Sequence, residues 1–337
     1  MTSVTMQDVA KKAGVSVATV SRVINGSEKV SEEMRQKVIT VCEALNYKIH
    51  PVAQSLRLGR TNTISAILPY LTLPSIVERL RGVMASLADS YFELVPFTLG
   101  TPQDRDRKIF ELSQKSRTDG LLVISMPVND EQVNRLIENK MPTVLVDSFH
   151  PKLNRIIIDD KAGGKMITNH LISLGHRKIG FLCSYLINPL QFSSTIYRYE
   201  GYCEALREAG IEVDPKYKRE GEHGRREAKL LAIEMLQQDN PPTAIFASSD
   251  TKAIGVLDAA RELNINVPEQ LSVVGYDDIR DAEYVNLSTV RQPLFQSGRL
   301  AGKRIIQLIE NPETPPEETH LPLELVIRGT TAALPSL

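Results

Sequence analysis

Hydrophobic positions along this chain follow one period up to about residue 45 and a different organisation beyond residue 61. In the first part they recur every three or four residues: Val9, Ala10 and Ala13, then Val20, Val23 and Ile24, then Met34, Val38, Val41, Cys42 and Leu45. That spacing predicts three short amphipathic helices sharing one small core. The polar residues between them are helix signals. Thr5-x-x-Asp8 reads as a capping box with Asp in the place of Glu. Gly14 supplies the tight turn after the first helix, and Ser16 caps the second. Asn25-Gly26 tolerates left-handed backbone and closes the second helix. Ser31-Glu32-Glu33 places a cap and two acids where they complement the dipole of the third.

From Thr61 onward, short apolar runs alternate with amphipathic stretches. The runs Ile64–Leu68, Leu94–Phe97, Leu121–Ile124, Val144–Val146, Ile156–Ile158, Ile179–Cys183, Ala244–Ala247 and Val273–Gly275 read as buried strands. Helices are predicted near Ile76–Ala88, Arg107–Ser116, Asp130–Asn139, Lys161–Leu174, Tyr197–Ala209, Arg225–Gln238, Asp250–Leu263 and Ser297–Glu310. Alternation of this kind implies an α/β body of parallel sheets flanked by helices. A break near Asp159–Gly164 divides it into two similar lobes. Ligands of such sheets lie outside the carboxyl ends of the strands, which directs attention to Tyr70, Leu73, Ser125, Met126, Asp147, Tyr185, Ser249, Asp250, Asp277 and Asp278. Acids and hydroxyls gathered there describe a polar pocket between lobes, suited to a ligand with many hydroxyls, such as a sugar.

The second predicted helix leaves Val17, Ala18, Ser21 and Arg22 off its apolar face. A short face of small side chains and hydroxyls, with one arginine able to contact a guanine, suits entry into a DNA groove. Spacing alone also allows a plain three-helix bundle. Net charge is −1, but its distribution is uneven: residues 1–60 hold nine Lys/Arg against five acids, a net of +4, and the remainder carries a net of −5. A basic head on an acidic body fits a DNA reader with a second task. Between them, His50–Arg60 exposes Val52 and Leu56 behind Pro51 and is too short for a stable helix alone; it is either an apolar linker or a segment that folds when covered.

Three scattered cysteines, Cys42, Cys183 and Cys203, suggest neither a disulfide framework nor a metal site. No apolar run approaches a membrane span and the amino end shows no signal core, so a cytoplasmic protein is expected. Asp277-Asp278 as a catalytic or metal pair is disfavoured because adjacent residues after a strand point apart. His170 and His176 read as hydrogen-bonding residues at a helix end, Gly163-Gly164 as close packing or a helix start, and Arg105–Lys108 as a solvated charged face.

The stretches VTMQDVAKKAGVSVATVSRVINGS, ALNYKIHP and VAQSLRLGRT resemble the head of the lac-repressor/gal-repressor family of bacterial transcription regulators. In the body, TDGLLVIS, LGHRKIGFL, YRYEGYCEAL, PTAIFASSD, VPEQLSVVGYDD and VRQP resemble the same family, so the likeness runs from about Val4 to about Gly329.

That resemblance implies a helix-turn-helix head at 1–49, a hinge helix and linker at 50–61, and a periplasmic-binding-protein-like body at 62–337. Lobe 1 would comprise 62–160 and 292–322, and lobe 2 would comprise 161–291 and 323–331. It implies DNA contacts from Thr5, Ser16, Val17, Ala18, Thr19, Ser21, Arg22, Asn25 and Tyr47. Leu56, with Ala53 beside it, would wedge into the minor groove at the operator centre. Arg198 and Asp277 match the effector-contacting pair, and Leu73, Ser125, Asp147, Ser194, His223, Asp250 and Gln292 would line the same cleft. The function implied is a homodimeric, non-enzymatic repressor of carbohydrate-use genes, binding a palindromic operator under control of a small effector and needing no other cofactor. Regulation by a corepressor or a non-sugar metabolite is the alternative. A solute-binding receptor would need a secretion signal, and a sugar hydrolase would need a positioned acid/base pair.

Overall fold

The computed structural model describes residues 4–24, 29–45, 47, 60–114, 116–188, 190–191 and 193–334. The chain divides into two compact units, Met1–Thr61 and Asn62–Leu337.

In the first unit, α1 (Met6–Ala13), α2 (Val17–Ile24) and α3 (Glu32–Ala44) pack around Val9, Ala10, Ala13, Val20, Val23 and Val38. Each start follows from its cap. Thr5 accepts from the Asp8 amide, and the Asp8 side chain accepts back from Thr5, completing the capping box. Ser16 Oγ accepts from the Thr19 amide at 3.0 Å, and Ser31 Oγ from that of Met34 at 3.4 Å. Gly14, at φ 64°, ends α1 in left-handed geometry, and the following Val15 amide donates to Ala10 O.

The second unit holds two six-stranded sheets. Strands β1 (Thr63–Leu68), β2 (Glu93–Thr98), β3 (Gly120–Ile124), β4 (Thr143–Val146), β5 (Asn154–Ile157) and β11 (Glu318–His320) form one, in the order β11-β5-β4-β3-β1-β2. Strands β6 (Ile179–Ser184), β7 (Lys218–Gly221), β8 (Ala244–Ala247), β9 (Ser272–Asp277), β10 (Ser288–Arg291) and β12 (Glu324–Val326) form the other, in the order β12-β10-β9-β8-β6-β7. All pairs are parallel except β10 with β12.

Helices cover both faces of each sheet because both faces are apolar. On the first sheet, α4 (Pro74–Leu87) and α12 (Leu294–Glu310) bury Leu80, Val83 and Ile305 against Ile64 and Leu122. Helices α5 (Pro102–Leu112) and α6 (Asp130–Glu138) bury Ile109, Val133 and Leu136 against Leu121 and Leu145 on the other face. On the second sheet, α7 (Asp160–Ser173) and α8 (Ser194–Glu208) close over Phe181 and Phe246, and α9 (Arg225–Leu236) and α10 (Asp250–Glu262) over Ile245 and Val273. A short helix α11 (Arg280–Tyr284) follows β9. The chain crosses between lobes three times: from β5 to α7, from β10 to α12 through Gln292-Pro293, and from β11 to β12.

Two expectations need correction. The segment Arg105–Lys108 is not wholly solvated, because Arg105 is 7 % exposed and its Nη1 has no hydrogen-bond partner. Strands β7, β10, β11 and β12 have no apolar run to announce them: β10 reads Ser-Thr-Val-Arg and buries its serine and threonine by bonding, with Ser288 N donating to Thr330 and Thr289 Oγ1 to Asp250.

Candidate functional sites

Helix α2 presents Val17, Ala18 and Arg22 to solvent, with Ser16 exposed at its start. Ser16 and Thr19 are hydrogen-bonded through their hydroxyls at 2.9 Å, which orders the amino end of the helix. Thr5 is exposed and occupied by its capping box with Asp8. Tyr47 is half-buried and packs against the head core. Ser21 departs from expectation. It is only 6 % exposed, because the helical turn carries it toward the buried face beside Val20. Asn25, Ala53 and Leu56 lie outside the described residues, as does the hinge segment as far as residue 59.

In the body a cleft of about 760 Å³ opens at the carboxyl ends of both sheets. Its position follows from the topology, since parallel strands end there and their connections splay apart. From the first lobe it is lined by Leu73, Ser125, Asp147 and Arg79, from the second by Ser194, Arg198, His223 and Asp277, and at the crossing by Gln292. Ser125, Asp147 and Asp277 each adopt a positive φ, of 52°, 53° and 119°. Non-glycine residues rarely take that region, and such strain gathers at functional sites.

The floor of the cleft is one continuous polar chain. Ser125 Oγ donates to Asp147 Oδ2 at 2.8 Å. Arg79 Nη2 lies 3.4 Å from the same carboxylate and donates to Gln292 Oε1 at 3.0 Å. Gln292 Nε2 donates to Asp277 Oδ1 at 2.5 Å. Arg198 Nη1 lies 3.7 Å from Asp277 Oδ1 and donates to the Ser248 carbonyl at 2.7 Å, while Arg198 Nε donates to Asp160 at 2.7 Å. The guanidinium is stacked on Tyr276, 3.7 Å from the ring centre. Arg198 therefore serves both a lobe-internal ion pair and the cleft. It is held there because α7 and α8 touch closely: a Cβ on Gly164 would meet the Arg198 carbonyl oxygen at 2.2 Å.

Burial raises the carboxyls of Asp277 and Asp160 to about 6, against the opposing pull of Arg198 on both and of Arg79 and Gln292 on Asp277. His223 stands exposed at the rim. Desolvation where its ring faces the cleft, and the charges of Lys252 and Arg198, push its imidazole below the ordinary value. Asp250 does not line the cleft. Fully buried behind it, its carboxylate accepts from the Ile279 amide at 2.8 Å and from Thr289 Oγ1 at 2.6 Å, fastening α10 to the start of α11 and to β10. Asp278 also points away and pairs with Arg291 and Arg328.

Arg79 was not predicted. It sits in α4 among Ile76, Leu80 and Val83, where the helical period calls for an apolar residue, and an arginine breaking that stripe is the signal that would have found it. His176 bonds Thr243, Ser272 and the Ala332 carbonyl, anchoring the C-terminal segment. Among the described residues, no cluster of three or more His, Cys, Asp or Glu could hold a metal, and no helix is long and apolar enough to cross a membrane.

A family profile described as bacterial regulatory proteins, lacI family, matches residues 5–49, and a periplasmic binding protein-like domain matches residues 168–331. A ribose operon repressor of Haemophilus influenzae is 36 % identical over 315 residues, covering 91 % of this chain and 92 % of its own. The chain belongs to the lacI family. The HTH-type transcriptional repressor CytR of Escherichia coli is 30 % identical over 338 residues, covering 99 % of this chain and 98 % of the relative. Among solved structures, the lac repressor dimer bound to operator and the anti-inducer ONPF shares 28 % identity at a TM-score of 0.84, covering 98 % of this chain and 100 % of that one. A lacI family regulator of Enterococcus faecium with bound ribose shares 27 % identity at a TM-score of 0.72, over 81 % of this chain and 99 % of that one. The expected family, fold class and function as a helix-turn-helix regulator are thus borne out. These relatives are repressors, not enzymes.

Proposed function

We propose that this lacI-family chain is a non-enzymatic cytoplasmic repressor of carbohydrate-use genes that binds a palindromic operator as a homodimer and releases it when a polyhydroxylated effector fills the cleft. The observation that carries this reading is the Arg198–Asp277 pair on the cleft floor, bracketed by Asp147, Ser125 and Gln292. Carboxylates that accept and guanidinium and amide groups that donate match a ring of vicinal hydroxyls, each of which both donates and accepts. Floor charges already paired with one another leave no excess of cations for a multiply charged anion. A volume of about 760 Å³ accommodates one or two sugar rings. Relatives support the same class, since one regulator of known structure holds ribose and another, CelR, is a complex with cellobiose.

In the head, Val17, Ala18 and Arg22 are assigned to base edges, and Ser16, Thr19 and Thr5 to phosphates and register. The assignment rests on exposure and place: Val17, Ala18 and Arg22 lie on the outward side of α2, Ser16 and Thr19 at its start, and Thr5 at the start of α1. Ser21 is assigned to the head's packing. In the body, Leu73, Ser125, Asp147, Ser194, Arg198, His223, Asp277 and Gln292 are assigned to the effector, and Asp250 to their support. No cofactor beyond the effector is invoked. The test is a mobility-shift titration of the full chain on palindromic duplexes, with D-ribose, cellobiose and sugar phosphates added in turn. Binding that prefers one palindrome and weakens with a neutral sugar supports the proposal, and absence of preference for any duplex under every addition rejects it.

A further inference from the structure

We propose that Arg79 is the positioning residue through which the first lobe senses occupancy of the cleft, a role that rests on reading the cleft as the effector site. Among the described first-lobe residues lining the cleft, Arg79 is the one cation. It is 3 % exposed, in a stripe of α4 that otherwise buries Ile76, Leu80 and Val83. Packing alone would be served by leucine at that position, whereas a buried guanidinium is costly without partners. Its partners belong to different parts of the molecule. Asp147 ends a first-lobe strand, and Gln292 stands on the crossing between lobes. The other end of the Gln292 amide reaches Asp277 in the second lobe, and Asp277 faces Arg198. A ligand oxygen that competes for Asp277 or Gln292 therefore changes what holds Arg79.

Two further features turn that change into movement of a helix. Arg79 Nε is buried without an acceptor, so the side chain is held by Asp147 and Gln292 rather than by a full set of bonds. The Arg79 backbone is pressed onto α12, where a Cβ on Gly298 would lie 1.8 Å from the Arg79 carbonyl oxygen. Helices α4 and α12 must therefore shift together, and α12 begins two residues after Gln292.

The test has one arm that needs no effector. In the ligand-free full-length protein, Arg79→Leu should raise amide hydrogen exchange at 145–149 and 292–297 while leaving 194–205 as in the wild type, and unchanged exchange at the first two segments overturns the proposal. In the second arm, operator affinity is titrated with and without D-ribose or cellobiose. Wild-type coupling in the usual range of about 5–150-fold should fall to about 2-fold or less in Arg79→Leu, each protein being compared without sugar and at its own saturating sugar concentration. Arg79→Lys, which keeps the charge but loses the fork, should restore part of the response. An Arg79→Leu protein that folds, binds sugar and retains the full coupling overturns the proposal. If neither sugar moves the wild-type protein, the effector reading of the cleft fails by itself, and the exchange arm still decides whether Arg79 ties the lobes.

Discussion

Asp277 and Arg198 face one another at 3.7 Å on the floor of the cleft, yet neither is the other's closest polar partner: Gln292 is nearer to Asp277, and Asp160 nearer to Arg198. The facing pair is thus held from behind, which leaves its inward-facing atoms available to a ligand. Burial raises Asp277 to about 6. The charged form of Asp277 is the stronger acceptor for a ligand hydroxyl, so affinity for a sugar effector should be level above about pH 7 and fall below pH 6, by at most about tenfold per unit. Calorimetric titration from pH 5 to 8 measures this. Asp277→Asn should lower affinity and remove the pH dependence, and a profile unchanged by that substitution would count against the assignment. The effect on stability has its own sign. Folded Asp160 and Asp277 keep their protons up to about pH 6, whereas the unfolded groups lose them near 3.8. The folded state therefore binds more protons in that window, and these two groups subtract stability as pH rises through it.

Much of this arrangement was legible in the sequence because it repeats local rules. The capping box at Thr5 and Asp8, the left-handed Gly14 and the apolar strand runs each state their conformation within a few residues. Placing Asp147 and Asp277 at strand ends sufficed to bring them to one cleft. What was not legible depends on contacts distant in sequence. Asp250 follows a strand as Asp147 does, but Thr289 and the Ile279 amide draw it inward. Ser21 lies at the edge of the apolar face of an eight-residue helix, too short for its period to fix which side the serine takes. Arg79 and Gln292 are 213 residues apart, and nothing local to either announces the other.

The contact between α4 and α12 gives a second prediction. Gly298→Ala would place a methyl 1.8 Å from the Arg79 carbonyl oxygen, and backbone on both sides leaves little room to yield. Overpacking of this kind costs roughly 1–3 kcal/mol and at times more. Chemical denaturation of the variant should show a loss of about 2 kcal/mol or more. Gly100→Ala is the control, because an added Cβ there meets nothing within 4 Å.

Lys252 is fully buried, and its ammonium donates to the Glu222 carbonyl at 2.7 Å. Burial lowers it to about 8 from 10.5, an effect that Cys183 and Glu227 oppose. Between those values the unfolded lysine holds a proton that the folded one has shed, so its contribution makes stability rise with pH across that window. Lys252→Met removes the term while keeping a side chain of similar length. The stability of the variant relative to wild type should therefore be greatest near pH 7 and decline toward pH 10. Thermal melts of the two proteins in parallel across this range test it, and a difference that does not vary with pH would contradict the buried, titrating lysine.

Arg22 lies near the end of an eight-residue helix whose outward side is otherwise Val17 and Ala18. Small neighbours let the helix approach base edges, and a guanidinium there can grip a guanine through two parallel bonds, worth about 1–3 kcal/mol of discrimination. Attraction to phosphates is supplied separately by the basic excess of the head and carries no sequence information. Arg22→Ala should therefore lose preference for its operator over a random duplex by about 5- to 150-fold. Weak binding that falls steeply with salt should remain. The fold of the head should be unaffected, since Arg22 is exposed and outside the cluster of Val9, Val20 and Val38. Competition titrations at two salt concentrations separate these quantities. A variant that retains its preference while losing total affinity would place Arg22 on the phosphate backbone and move base reading to Val17 and Ala18.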